Sequence, residues 1–115
     1  MIIATIILGS MALLGGGLLA RYMNNLLDWL KRAITKVNEM VHMMVYGTKV
    51  FIKRVREGIE EISKHYSQDN TKRWHETVVT RTVDENEVPK EFLNLARHNA
   101  ETDITDRVER QLQLA

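Results

Sequence analysis

The residues best able to do chemistry are cationic and aromatic. Lys72, Arg73, Trp74 and His75 stand in one run, with Arg81 farther along the same segment. A planar aromatic beside cations is the element from which nucleotide and single-strand sites are built, the ring stacking a base while the cations hold phosphate. The same four residues also suit a packing anchor beneath a turn. A second cationic set, Lys49, Lys53 and Arg56, is spaced by four and three, which places all three on one face if the segment is helical. Copies of that face around an axis would stack cationic rings and favour anions.

Other chemistries lack their residues. His42, His65, His75 and His98 are far apart, and cysteine is absent. No pair of histidines has the i, i+4 spacing of a helical zinc site, so neither a metal site nor a disulfide framework is expected. Glu57, Glu60 and Glu61 lie beside Lys53, Arg56 and Lys64, and i, i+4 ion pairing accounts for them without catalysis. No glycine-rich phosphate loop follows a strand and no nucleophile motif occurs. The expectation is a protein that is not an enzyme, with no catalytic residue and no cofactor.

A chain of 115 residues allows one domain. Its net charge of +1 conceals a gradient: residues 21–56 carry +6, residues 57–88 carry −4, and residues 89–115 carry −1. The basic part directly follows an uncharged stretch, Met1 to Ala20, dominated by Ile, Leu, Met and Ala. About 20 apolar residues span a bilayer as a helix. A cleaved signal peptide would open with a positive segment, and none precedes Ile2. Residues 1–21 are therefore predicted to be a transmembrane helix, with membrane lipids as partners. Arg21, Lys31, Arg32 and Lys36 follow it, so the positive-inside rule gives a single-pass inner-membrane protein with its N-terminus outside and its head cytoplasmic. Gly9, Ala12, Gly16 and Ala20 form a small-residue stripe suited to close helix contact. Gly15-Gly16-Gly17 would mark either a kink or a backbone facing a lumen.

From Tyr22 to Tyr66 an apolar stripe recurs at steps of three and four: Leu26, Leu30, Ile34, Val37, Val41, Met44, Thr48, Ile52, Val55, Ile59, Ile62 and Tyr66. That spacing predicts one amphipathic helix over 22–66, about 65 Å long at 1.5 Å per residue. Tyr22 and Trp29 would anchor its start at the lipid surface. A break near Gly47 into two antiparallel helices is the rival geometry. A stripe this long outruns what the rest of the chain can cover, so its expected partner is another copy of the chain.

Residues 67–115 form the expected head. Ser67 to Thr71 is a turn. Trp74 to Val83 is Thr- and Val-rich and reads as a strand, paired either with Glu87-Val88 in a hairpin or with a neighbouring subunit. Helices are expected over 89–99, opened by Pro89, and over 104–114, with Ile104, Val108 and Leu112 spaced by four. The predicted fold class is thus a mainly α membrane protein, its anchor continuing through a long helix into a small α+β head, assembled as a homo-oligomer.

An N-terminal span, a basic helical neck and a small head without a catalytic motif resemble the layout of small bacterial transmembrane effectors of antiphage defence. Within that group the layout is similar to that of the Hailong channel effectors. The resemblance implies an anion channel controlled by a DNA oligomer. The leading expectation is accordingly a homo-oligomeric channel or membrane-disrupting effector, gated through its head by a nucleotide or single-stranded DNA. The alternative is a membrane-tethered scaffold that recruits a partner protein encoded beside it.

Overall fold

A computed structural model describes residues 17–114. The transmembrane reading of residues 1–16, with Gly9, Ala12 and Gly16 of the small-residue stripe, lies outside the described residues. Helix α1 spans Leu18–Val41. It buries Tyr22, Met23, Leu26, Leu27, Leu30, Ala33 and Val37 along one side, the 3.6-residue stripe of an amphipathic helix. It ends where His42 turns left-handed (φ 54°) with its N–H on the Asn38 carbonyl at 3.0 Å.

Strands β1 (Val45–Val55), β2 (Gly58–Gln68) and β3 (Trp74–Val83) follow as an antiparallel meander. A 3₁₀ turn at Glu85–Glu87, the short helix α2 (Lys90–Leu93), the two-residue strand β4 (Thr102–Asp103) and helix α3 (Thr105–Leu114) complete the order. The sheet runs β3-β2-β1-β4. One face carries the helices, and the core lies there. Tyr22, Met23, Leu26, Leu27 and Leu30 of α1 meet Val50, Ile52 and Ile59 of the sheet and Val88, Phe92, Ala96, Ile104 and Val108 of the C-terminal part. The other face carries no helix among the described residues.

This α+β sheet protein corrects the mainly α reading. The helix of 22–66 stops at Val41, and its second half is the β1–β2 hairpin rather than a second helix broken near Gly47. Arg56 and Glu57 make the two-residue turn between Val55 and Gly58. The supposed oligomer stripe is covered within the chain: Leu30, Val37, Ile52, Ile59 and Ile62 are all at most 2% exposed. Ile34, Val41 and Val55 are half-buried, and Met44 is exposed. Val55, Ile62 and Tyr66 in fact face away from α1, because strand residues alternate sides.

Among the described residues no helix is long and apolar enough to cross a membrane. The single-pass inner-membrane placement, and the membrane channel that goes with it, thus find no support in the described part of the chain. Ala20 packs in α1 at 7% exposure, and Tyr22 is 3% exposed with its hydroxyl on a buried carboxylate. Neither faces lipid. The cationic rings go too. Lys49 and Lys53 lie on the open face of β1, and Arg56 sits in the turn, so the three share no helix face.

Candidate functional site

The turn between β2 and β3 is built around Asp69. One carboxylate oxygen accepts the backbone N–H of Thr71 (2.8 Å), the Thr71 hydroxyl (2.6 Å) and the Arg73 N–H (3.0 Å). The other meets the His75 ring at 2.8 Å. These bonds, that to His75 foremost, hold the Asp69 carboxyl well below the usual carboxylate range. Lys72 takes a left-handed conformation (φ 64°) at the tip. The run Lys72-Arg73-Trp74-His75 is thereby split. Lys72 and Arg73 project from the turn, Trp74 opens β3 on the helix-free face, and His75 turns back to Asp69. Arg81 stands at the far end of β3 and does not join them.

Trp74 is 50% exposed, and its ring meets Tyr46 edge-on, with centroids 5.9 Å apart at 79°. Tyr46 is itself 43% exposed. It sits where the β1–β2 register shifts between Val45 and Gly47, a bulge that swings it beside the turn. On the same face lie Tyr66, Phe51, Lys49, Lys53 and Lys64. Burial, with a hydrogen bond to Glu76, pushes the Tyr66 phenol up to about 12. Lys64 lies over the Phe51 ring (4.4 Å) and pairs with Glu101 (2.8 Å). Lys72, Arg73, Lys49 and Lys53 form no ion pair among the described residues.

Sequence reasoning missed Tyr46, whose only signal was an aromatic followed by glycine in a Val-rich run. It also missed two buried polar groups on the helix side of the sheet. The first is Glu61, fully buried, which accepts the Tyr22 hydroxyl (2.6 Å) and the Arg81 Nε–H (2.5 Å). The Arg81 guanidinium also lies 4.7 Å over the Trp29 ring. Burial and the Glu61 charge push the Tyr22 phenol above its ordinary range. Arg81 and Tyr22 also border a cleft of about 260 Å³ shared with Arg21, Asn25 and Asn86. Their bonds to Glu61 mark them first as a satisfied buried ion pair.

The second group is a polar row. His65 meets the Ser63 hydroxyl through Nε2 (2.8 Å) and the Thr48 hydroxyl through Nδ1 (3.1 Å). A serine hydrogen-bonded to a histidine is a nucleophile–base pair in form. Here all members are at most 3% exposed, and no substrate can reach them. Burial lowers the His65 pKa to about 4, keeping the ring neutral. Ser67 lies on the same row, its hydroxyl buried without a partner among the described residues. No three His, Asp or Glu side chains converge as a metal-ligand set among the described residues.

Comparison with protein families, with characterised proteins and with solved structures finds no match to this chain.

Proposed function

We propose that this chain is a non-catalytic binding module that takes single-stranded nucleic acid on the open face of its sheet. The observation that carries the reading is the exposed Tyr46–Trp74 pair at 5.9 Å, flanked by the turn cations Lys72 and Arg73. Aromatic rings on a sheet surface stack bases without regard to sequence, at about 1–3 kcal/mol per base, while nearby cations track the phosphates. Lys49 and Lys53 add cations along β1, on a face that also carries Glu60 and Glu76, and the bonded turn presents the rings with little ordering cost on binding.

Fluorescence anisotropy with a labelled oligothymidylate at low salt tests this. The wild-type chain is expected to bind, and Trp74→Ala to weaken binding roughly 10- to 100-fold. Charge reversal of Lys72 and Arg73 to Glu should weaken binding and flatten its salt dependence, because fewer counterions are released. Equal binding by the wild type and Trp74→Ala would sink the reading, as would no binding of either DNA or RNA strands.

A second reading, recruitment of a partner protein, is favoured by Met40 and Met44, 65% and 66% exposed and shortly before Tyr46 in the chain. Methionine-rich exposed surface is adaptable docking surface. Partner binding of that kind would survive reversal of Lys72 and Arg73 and would depend little on salt.

A further inference from the structure

The two edges of the sheet are finished differently. The outer edge of β1 is covered from Val50 to Arg54: β4 pairs with Phe51 and Ile52. The Val50 N–H donates to the Thr105 hydroxyl (2.9 Å), the Ile104 N–H to the Val50 carbonyl (2.9 Å), and the Arg54 N–H to the Arg97 carbonyl (2.8 Å). The outer edge of β3 has no strand beside it and no backbone hydrogen bond among the described residues. It runs ten residues in unbroken register with β2. Natural edges of that length are blunted by proline, lysine, a bulge or an inward charge on the open row. Trp74–Val83 contains no proline, no lysine and no bulge, and Arg81 is already bound to Glu61.

The phase of the edge follows from Val79. Its carbonyl faces β2, where it also receives the Ser63 hydroxyl at 3.4 Å. In an antiparallel ladder successive residues alternate between the two neighbours. The N–H and C=O groups of Trp74, Glu76, Val78, Thr80 and Thr82 therefore point outward, unpaired among the described residues.

We propose that this edge docks a second copy of the chain, the two β3 strands pairing antiparallel about a two-fold axis at Val78. In that register Val78 meets Val78, Glu76 meets Thr80 and Trp74 meets Thr82, so every outward residue faces an outward residue of the copy. No two like charges stand opposite each other on the open face. Val78, 48% exposed alone, is covered by its twin. On the helix side His75 comes opposite Arg81, whose charge Glu61 offsets. The axis is perpendicular to the sheet, so both α1 helices stay on one side and the open faces join into one surface. The contact uses the same β3 edge on both copies, so it is isologous and stops at two.

The chain has no cysteine, so Val78→Cys places a single thiol at the axis. Paired residues of an antiparallel ladder lie about 5.5 Å apart, within disulfide reach. Mild oxidation of the full chain is expected to link Val78→Cys into covalent dimers and to leave Thr82→Cys unlinked, since Thr82 faces Trp74 of the copy. Sedimentation equilibrium of the unmodified chain should give twice the monomer mass. Thr80→Pro removes an outward N–H and spares the β2 ladder. It should raise the dimer dissociation constant at least tenfold while the circular dichroism stays native. A monomer at all concentrations, a trimer or larger species, or equal linking at Val78 and Thr82 would each overturn the proposal. A monomer that pairs only with an added β-strand peptide would reassign the edge to a foreign segment and overturn it equally.

Discussion

Protonating His65 means placing a charge in a fully buried row of hydroxyls. Its pKa stands near 4, against 6.5 for a free imidazole, so the folded state binds fewer protons than the unfolded chain between those values. Stability is full above about pH 6.5 and falls as pH drops toward 4, by roughly 3 kcal/mol in total. Urea midpoints measured across that range should show this acid limb. His65→Gln, which keeps hydrogen-bonding capacity without the titration, should flatten it. An unchanged limb in that variant would mean another group carries the loss. The chemistry at this scale was only half legible in the sequence. Trp74 and its cations were visible as a run of neighbours. Glu61, Ser63 and His65 were not, because their partners Tyr22, Arg81 and Thr48 are distant in the chain and appear only when the sheet forms.

The β1–β2 hairpin is the element that misled the sequence reading. Its apolar residues fall at steps of three and four from Thr48 to Tyr66, yet they are divided between two faces of a sheet. Period two was present in Thr48, Val50 and Ile52, but on β2 the buried row reads Ile59, Glu61, Ser63, His65 and Ser67. A buried row of polar residues does not look like a strand. β3 was legible because its Thr and Val content and its flanking turn agree with one another. The turn signal that was passed over is Gly58. Its φ is 148°, and a Cβ there would stand 2.3 Å from the Val83 carbonyl oxygen of β3. Gly58→Ala should therefore destabilise the fold by more than about 1 kcal/mol, from strain and from backbone displacement together. Guanidinium denaturation checks this; a loss below a few tenths would show that the close approach relaxes freely.

At the scale of the molecule, α1 lies over two kinds of floor. Its first half, through Leu30, sits on the apolar cluster, whereas Ala33 and Val37 are buried but stand apart from it. Asn38 ties that far end to Val45 of β1, whose register partner is Ser67, at the end of the polar row. Lifting the second half uncovers little hydrocarbon and lets Ser63, His65 and Ser67 exchange their internal bonds for water. The helix is therefore a clamp with one tight jaw. Its opening free energy should fall from one end to the other, and native-state hydrogen exchange can read this amide by amide. Amides from Ala33 to Val41 are expected to exchange through a local opening, well before those from Met23 to Leu30, which wait for global unfolding. Uniform protection along α1 would show that the polar row holds the helix as firmly as the core does. With the gradient in place, the helix end nearest the Tyr46–Trp74 surface is also the part of α1 that moves first, which sets breathing motion and ligand surface side by side.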